Sequence, residues 1–193
     1  TNNGTNLGSF SGSLTTATNA TATWTGSITL GDSNGRLGAG NSGTLNVTGP
    51  ILGSGANQSL SLSSGSGASI GTVVLSGSNN FSGNVSIVRG NLRLGAANTL
   101  PATAIIDVGS ASVTDNTSFD LAGFSQSLAG LRRTSTSITQ VSTVTNSSST
   151  PATLTLNQAS NLSYSGRITG NLTLAKSGAG TLTLSNASAL ASS

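Results

Sequence analysis

The sequence predicts an all-β fold built as a β-solenoid, and three observations predict it. Short apolar–polar–apolar triplets with a period of two recur along the chain. The residues around them are Gly, Asn, Ser and Thr, with charged residues at only 6%, where an ordinary soluble domain has roughly 25%. One six-residue pattern also returns four times at irregular offsets, which is the mark of stacked, variable-length units.

The triplets place the strands. In chain order they are Ile28-Thr29-Leu30, Leu45-Asn46-Val47, Leu60-Ser61-Leu62, Val73-Val74-Leu75, Val85-Ser86-Ile87, Leu92-Arg93-Leu94, Ile106-Asp107-Val108, Leu154-Thr155-Leu156, Leu172-Thr173-Leu174 and Leu182-Thr183-Leu184. In an extended strand the outer two side chains share one face and the middle one points away. All but Val73-Val74-Leu75 therefore give an aliphatic face and a polar or charged one. Helix signals are nearly absent, since the chain has no Glu and only four Gln.

The repeated pattern is aromatic, Ser or Thr, Gly, any residue, aliphatic, Ser or Thr. Its copies begin at Phe10, Trp24, Phe81 and Tyr164 and take four of the six aromatics. Residues 72–76 and 181–185 form a second related pair. A sandwich recruits more aromatics, and the hairpin signals Asn3-Gly4 and Asn34-Gly35 are too few to join all the strands. Stacked coils account for the composition instead. A narrow interior takes Leu, Val, Ile and Ala, and corners take Gly and Asn, which accept positive φ. Equivalent side chains then sit about 4.8 Å apart, where like charges repel and Ser, Thr and Asn do not. About eight to ten coils extending some 40–50 Å are expected.

Composition also excludes chemistry. With no His and no Cys, the usual zinc and haem sites and a Ser-His-Asp triad cannot be built. The formal net charge of +3 rests on six Arg and one Lys scattered from Arg36 to Lys176, so nucleic acid is not an expected partner. Arg132-Arg133, the one adjacent pair, reads as a solvated turn. No apolar run approaches the ~20 residues of a membrane helix, so membrane insertion by this segment is not expected. Absence of Cys fits secretion. The chain begins with Thr1 and carries no signal-peptide pattern, which reads as a mature or excised segment.

The run from Leu172 through Lys176, Gly178, Gly180, Leu182 and Leu184 to Ser185 resembles the passenger-associated transport repeat (the autotransporter-associated β-strand repeat) of bacterial autotransporters. Asn79-Asn80-Phe81-Ser82-Gly83 through Leu92-Arg93-Leu94-Gly95 is similar to its second half, with Phe81 for the usual Tyr and Val85 where Thr is commoner. Residues Phe119–Leu131 resemble the linker between such repeats, as does Val144-Thr145-Asn146 leading to Leu154. The resemblance is strong over 71–131 and 144–186 and weaker over 1–70, with 132–143 as a local insertion. It implies a right-handed parallel β-helix, one solenoid segment of a longer repeat protein, located at the cell surface or beyond. It implies no single activity.

Candidate chemistry is sparse. Asp115 and Asp120 are close enough in sequence to share a site, but Asp120 falls at an ordinary linker position and Asp107 is the outward residue of a triplet. Catalysis is not expected, and no catalytic, cofactor or metal residue is assigned. Thr21-Ala22-Thr23-Trp24-Thr25, Thr153-Leu154-Thr155 and Thr181-Leu182-Thr183 form outward Thr ranks, the feature an ice-binding face would need. Trp24 and Tyr164 are the candidate glycan platforms, although membership of the repeated pattern favours packing at a coil corner. Asn79 and Asn80 read as a turn or ladder. The function that follows is a structural module of a secreted rod or fibre, its partner a further copy of itself or neighbouring repeats. An adhesin binding host or matrix glycans is the alternative. Leu182→Asp should cost far more than Thr183→Asp if the inward and outward assignments hold.

Overall fold

The computed structural model describes residues 5–7, 13–31, 35–53, 58–64, 70–110 and 114–185. Every regular element among them is a β-strand, and all strand pairings are parallel. After β1 (Thr5–Leu7), the first turn runs through β2 (Ser13–Thr16), β3 (Thr21–Trp24) and β4 (Ile28–Leu30). The second runs through β5 (Gly35–Ala39), β6 (Thr44–Val47) and β7 (Ile51–Gly53), and the third through β8 (Leu60–Ser63) and β9 (Thr72–Leu75). The long β10 (Val85–Leu94) turns a corner at Gly90, φ 90°, and serves two sides of the fourth. There follow β11 (Ile105–Val108), β12 (Thr117–Asp120) and β13 (Gln126–Leu128), then β14 (Gly130–Arg132), β15 (Ser142–Asn146) and β16 (Ala152–Asn157). The last are β17 (Leu162–Tyr164), β18 (Arg167–Gly170), β19 (Leu172–Ser177) and β20 (Leu182–Leu184).

The register sorts these strands onto three faces of a parallel β-helix, whose crossovers are of the kind that is right-handed almost without exception. The first face carries β2, β5, β8, the start of β10, β11 and β14, and β17 and β20 continue it. The second carries β3, β6, β9, the end of β10, β12, β15 and β18. The third carries β1, β4 and β7, and further on β13, β16 and β19. The molecule makes about six turns, a rise of about 29 Å at ~4.8 Å per turn. That is shorter than the expected eight to ten coils, because each turn spends residues on three strands and three corners. Successive inward residues Leu45, Val73, Leu92, Phe119, Val144 and Ile168 are 19 to 28 residues apart, and loop length absorbs the difference.

All ten triplets fall within strands. The interior they form is dry and aliphatic: Ile28, Leu30, Leu60, Leu62, Val73, Leu75, Val85, Ile87, Leu92, Ile106, Leu154 and Leu156 are fully buried. Each such side chain contributes roughly 1.5–3 kcal/mol. Burial fades at the far end, where Leu182 is only partly buried and Leu184 is 36% exposed. The expected contrast between Leu182 and Thr183 therefore weakens at that rung and belongs in the middle of the rod. Residues Phe119–Leu131 are part of the coil, contributing to β12, β13 and β14.

Outward ranks on the second face are polar ladders. Asn91 Nδ2 donates to Thr72 Oγ1 at 3.3 Å, Ser118 Oγ donates to Asn91 Oδ1 at 2.7 Å, and Thr169 Oγ1 donates to Thr145 Oγ1 at 3.2 Å. On the second and first faces two Arg stand beside an Asp on the adjacent rung. Arg93 stands in register with Asp120 at 3.7 Å, and Arg132 with Asp107 at 3.0 Å. The corner after the second face stacks Gly49 on Gly26 and Gly77 on Gly49. A Cβ on either upper glycine would overlap the carbonyl oxygen below it, so the close coil approach requires Gly there.

The third face lapses between β7 and β13, and side-chain amides bridge the gap. Asn79 Oδ1 accepts the Ile51 N–H at 2.7 Å while its Nδ2 donates to the Thr99 carbonyl at 2.7 Å, linking three turns. Gln126 Oε1 accepts the Leu100 N–H at 3.0 Å and its Nε2 donates to the Leu100 carbonyl at 2.9 Å. An amide side chain thus replaces a peptide unit in the ladder. All four Gln are buried, and each donates to a main-chain carbonyl of another turn: Gln58 to Leu30, Gln126 to Leu100, Gln140 to Asp115 and Gln158 to Thr181.

Candidate functional site

The repeated aromatic pattern marks tight corners, and it does so at different ones. Trp24 leads from β3 on the second face to β4 on the third, Phe81 leads to β10 on the first, and Tyr164 leads from β17 on the first to β18 on the second. The aromatic closes the core, Ser or Thr with Gly makes the bend, and the aliphatic enters the next strand pointing inward. The copy at Phe10 lies outside the described residues. Phe81 and Tyr164 are buried, so neither is a platform for a sugar. Trp24 is partly buried and packs against the core.

Tyr164 carries a pH dependence. Burial pushes its phenol well above the ordinary range, partly offset by the charge of Arg133. An unfolded chain ionises its tyrosine near 10. The fold holds the neutral form, so nothing is lost below that pH, and stability falls as pH rises beyond about 10. Its hydroxyl makes one long bond, 3.4 Å to the Arg167 carbonyl. Tyr164→Phe is therefore expected to cost less than about 1 kcal/mol at neutral pH and to remove the alkaline loss. Urea unfolding of both proteins at about pH 8 and about pH 11 tests this; equal alkaline losses would count against it.

The described carboxylates do not converge. Asp115 pairs with Arg89 at 3.3 Å and Asp120 with Arg93 at 3.7 Å. Asp120 also accepts the Ser147 N–H and hydroxyl at 2.9 and 2.7 Å. Asp107 stands in the outward rank as its triplet predicts, yet it is buried. Residues 133–141, within the insertion, form a strand-free loop that folds back toward earlier turns. Through its start, Thr134 donates its N–H and hydroxyl to Asp107 at 3.1 and 2.8 Å, beside Arg132 Nε at 3.0 Å. Arg133 is half-buried, not a solvated turn, and holds the loop by donating to the carbonyls of Ser137 and Gln140 at 2.7 and 3.0 Å. Asp32 lies outside the described residues. Among the described residues no three acidic, His or Cys groups gather for a metal, and no helix is long and apolar enough to cross a membrane.

The Thr ranks do not form one continuous lattice. Thr21, Thr23 and Thr25 are exposed at one end of the rod and Thr181 and Thr183 at the other, and the Arg93–Asp120 pair interrupts the second face between. Asn79 is the bracket described above, and Asn80 pairs with Leu52.

Concavities lie outside the coils among the described residues, and they include the following two. The smaller, about 200 Å³, sits beside the loop between Arg133 and Arg167, next to the fully exposed Ile138. The larger is a trough of about 360 Å³ on the first face. Ser61, Ser86, Asp107 and Arg132 follow one another in a single outward rank along it. Asn84 and Thr134 line it at opposite ends of the strands. Sequence reasoning missed it, because a pair of small serines between larger neighbours becomes a feature only once the register is known. Comparisons with protein-family models, with curated proteins and with solved structures returned no match.

Proposed function

We propose that this chain is a structural β-solenoid of a secreted or surface-exposed bacterial protein, forming a stiff extracellular rod that extends by stacking or lateral self-association. The observation that carries this reading is the state of the two ends. Among the described residues, β2 and β3 at one end and β18, β19 and β20 at the other each pair on one side only. At the far end the apolar side chains of β19 and β20 grade from buried to exposed, from Leu172 to Leu184. Such edges are templates for another coil or another copy. The resemblance to autotransporter passenger repeats supports the extracellular placement, and the charge-poor coils suit repetitive stacking.

Enzymatic activity is not part of the proposal, since the described carboxylates are held in pairs with Arg. Neither is nucleic acid a partner in this reading, because the seven cations are scattered from Arg36 to Lys176 and form no basic stripe. Electron microscopy and sedimentation of the purified chain test the reading. Concentration-dependent filaments or lateral bundles are expected; monodisperse monomers at high concentration would overturn self-assembly.

A further inference from the structure

We propose that the trough on the first face binds an acidic oligosaccharide, with its hydroxyls over Ser61 and Ser86 and its anionic group against Arg132. The site is distinct from the rod ends and belongs to a single chain, so it and the self-assembly reading stand or fall separately.

The lining selects the ligand class. Eight of the ten residues lining the trough are polar or charged, and none is aromatic. Pockets for apolar small molecules are lined chiefly by hydrophobic and aromatic groups, and nucleobases are held by stacking on aromatic faces. Neither suits this surface. An extended peptide pairs with a free strand edge through its main chain, but here β8, β10 and β11 under the trough are paired on both sides, and the outer side of β14 faces β17, with Arg133 donating its N–H to the Ser163 carbonyl. A polyhydroxylated ligand needs short donors and acceptors at close spacing, and the trough provides them. Its volume of about 360 Å³ is at the lower end of the ~300–1,000 Å³ of ligand sites.

Ser61 and Ser86 are adjacent rungs of one rank, about 4.8 Å apart. Their hydroxyls make no hydrogen bond among the described residues. On the second face the corresponding ladder is closed, Thr72 to Asn91 to Ser118. The serine hydroxyls of the trough are thus left for a ligand, and the strands fix their spacing without an ordering cost on binding.

The charge is also directional. Asp107 is occupied by Arg132 Nε and by Thr134, so it repels a ligand anion less than a free carboxylate would. Arg132 keeps its two terminal amino groups, which match a carboxylate or sulfate through paired charge-assisted bonds. Arg36 lies one rung beyond Ser61 in the same rank, so a second cation borders the other end. Hydroxyl donors between two guanidinium groups describe a sugar carrying an acid.

Titration of the full chain with oligohexuronates, sulfated oligosaccharides and neutral glucose oligomers, followed by calorimetry or NMR shifts, tests the proposal. Acidic ligands are expected to bind at least about tenfold more tightly than neutral ones, the scale of one charge-assisted bond, and to weaken as salt rises. The carboxylated and sulfated arms identify which anion is preferred. Ser86→Phe fills the trough with a residue that suits a strand, and is expected to abolish binding while the thermal melt is unchanged. Arg132→Gln is expected to remove the preference for acid, with circular dichroism checking the fold. Failure to bind any acidic saccharide at millimolar concentration, equal binding of neutral and acidic ligands, or binding that survives Ser86→Phe would overturn the proposal.

Discussion

Val144→Asp is expected to abolish the cooperative fold, whereas its neighbour Thr143→Asp is expected to leave it nearly unchanged. Val144 lies in the inward rank of the second face, with Phe119 on one side and Ile168 on the other, and all three are fully buried. A carboxylate there has no partner and no water. Such a buried, unpaired charge costs several kcal/mol, a large part of the ~5–15 kcal/mol stability of a domain. Thr143 occupies the opposite face of the same strand, between Ser118 and Arg167. An Asp at that position meets solvent and a neighbouring guanidinium, so the change is expected to be within about 0.5 kcal/mol, the usual range for a surface substitution. Thermal and urea unfolding followed by circular dichroism would measure both. Equal losses would contradict the inward and outward assignment for the whole rod, because one register fixes every rung.

That assignment was legible in the sequence because it depends only on alternation. Leu92-Arg93-Leu94 declares its buried and solvent sides without reference to the rest of the chain, and the other triplets do the same. Corner packing of Phe81 and Tyr164 was legible too, since a pattern that repeats an aromatic before Ser-Gly describes one local bend. What the sequence did not disclose depends on residues a full turn away. Asp107 looks like an exposed strand residue, but Arg132 and Thr134, 25 and 27 positions later, bury and bind it. The insertion that supplies Thr134 carries no pattern of its own. The same distance hides the trough, which exists because Ser61 meets Ser86 and not a longer side chain. The count of turns was overestimated for a related reason: triplets count strands, and three faces share each turn.

The scarcity of charge takes on a specific form in the structure. Arg89, Arg93 and Arg132 each sit against an Asp of an adjacent turn. The two more open pairs, Arg89–Asp115 and Arg93–Asp120, are individually worth about 0–1 kcal/mol, so their main consequence is selection of register. A slip by one turn would place Arg93 opposite a neutral residue and leave Asp120 unpaired. Uncharged Ser, Thr and Asn rungs tolerate such a slip, and the few opposite charges do not.

Gln126→Leu is expected to be the most damaging substitution of a single polar side chain. The side-chain amide of Gln126 replaces a strand where the third face lapses, accepting from the Leu100 N–H at 3.0 Å and donating to the Leu100 carbonyl at 2.9 Å. Both residues are buried, so water does not take over when the amide is removed. Leucine keeps most of the volume, which isolates the polar loss from a cavity. Two main-chain groups are then left unsatisfied, at about 1–3 kcal/mol each, for a total of roughly 2–6 kcal/mol. Gln126→Glu is expected to rescue only in part, since an ionised carboxylate still accepts from the Leu100 N–H but opposes the Leu100 carbonyl with a second acceptor and carries a buried charge. Urea unfolding gives the global cost, and hydrogen exchange of the Leu100 amide gives its location. The expected result is fast exchange at Leu100 with protection kept at Leu92 and Val144, where the main-chain ladder is complete. A loss below about 1 kcal/mol, the scale of one ordinary hydrogen bond, or unchanged protection at Leu100, would show that the third face does not depend on this amide.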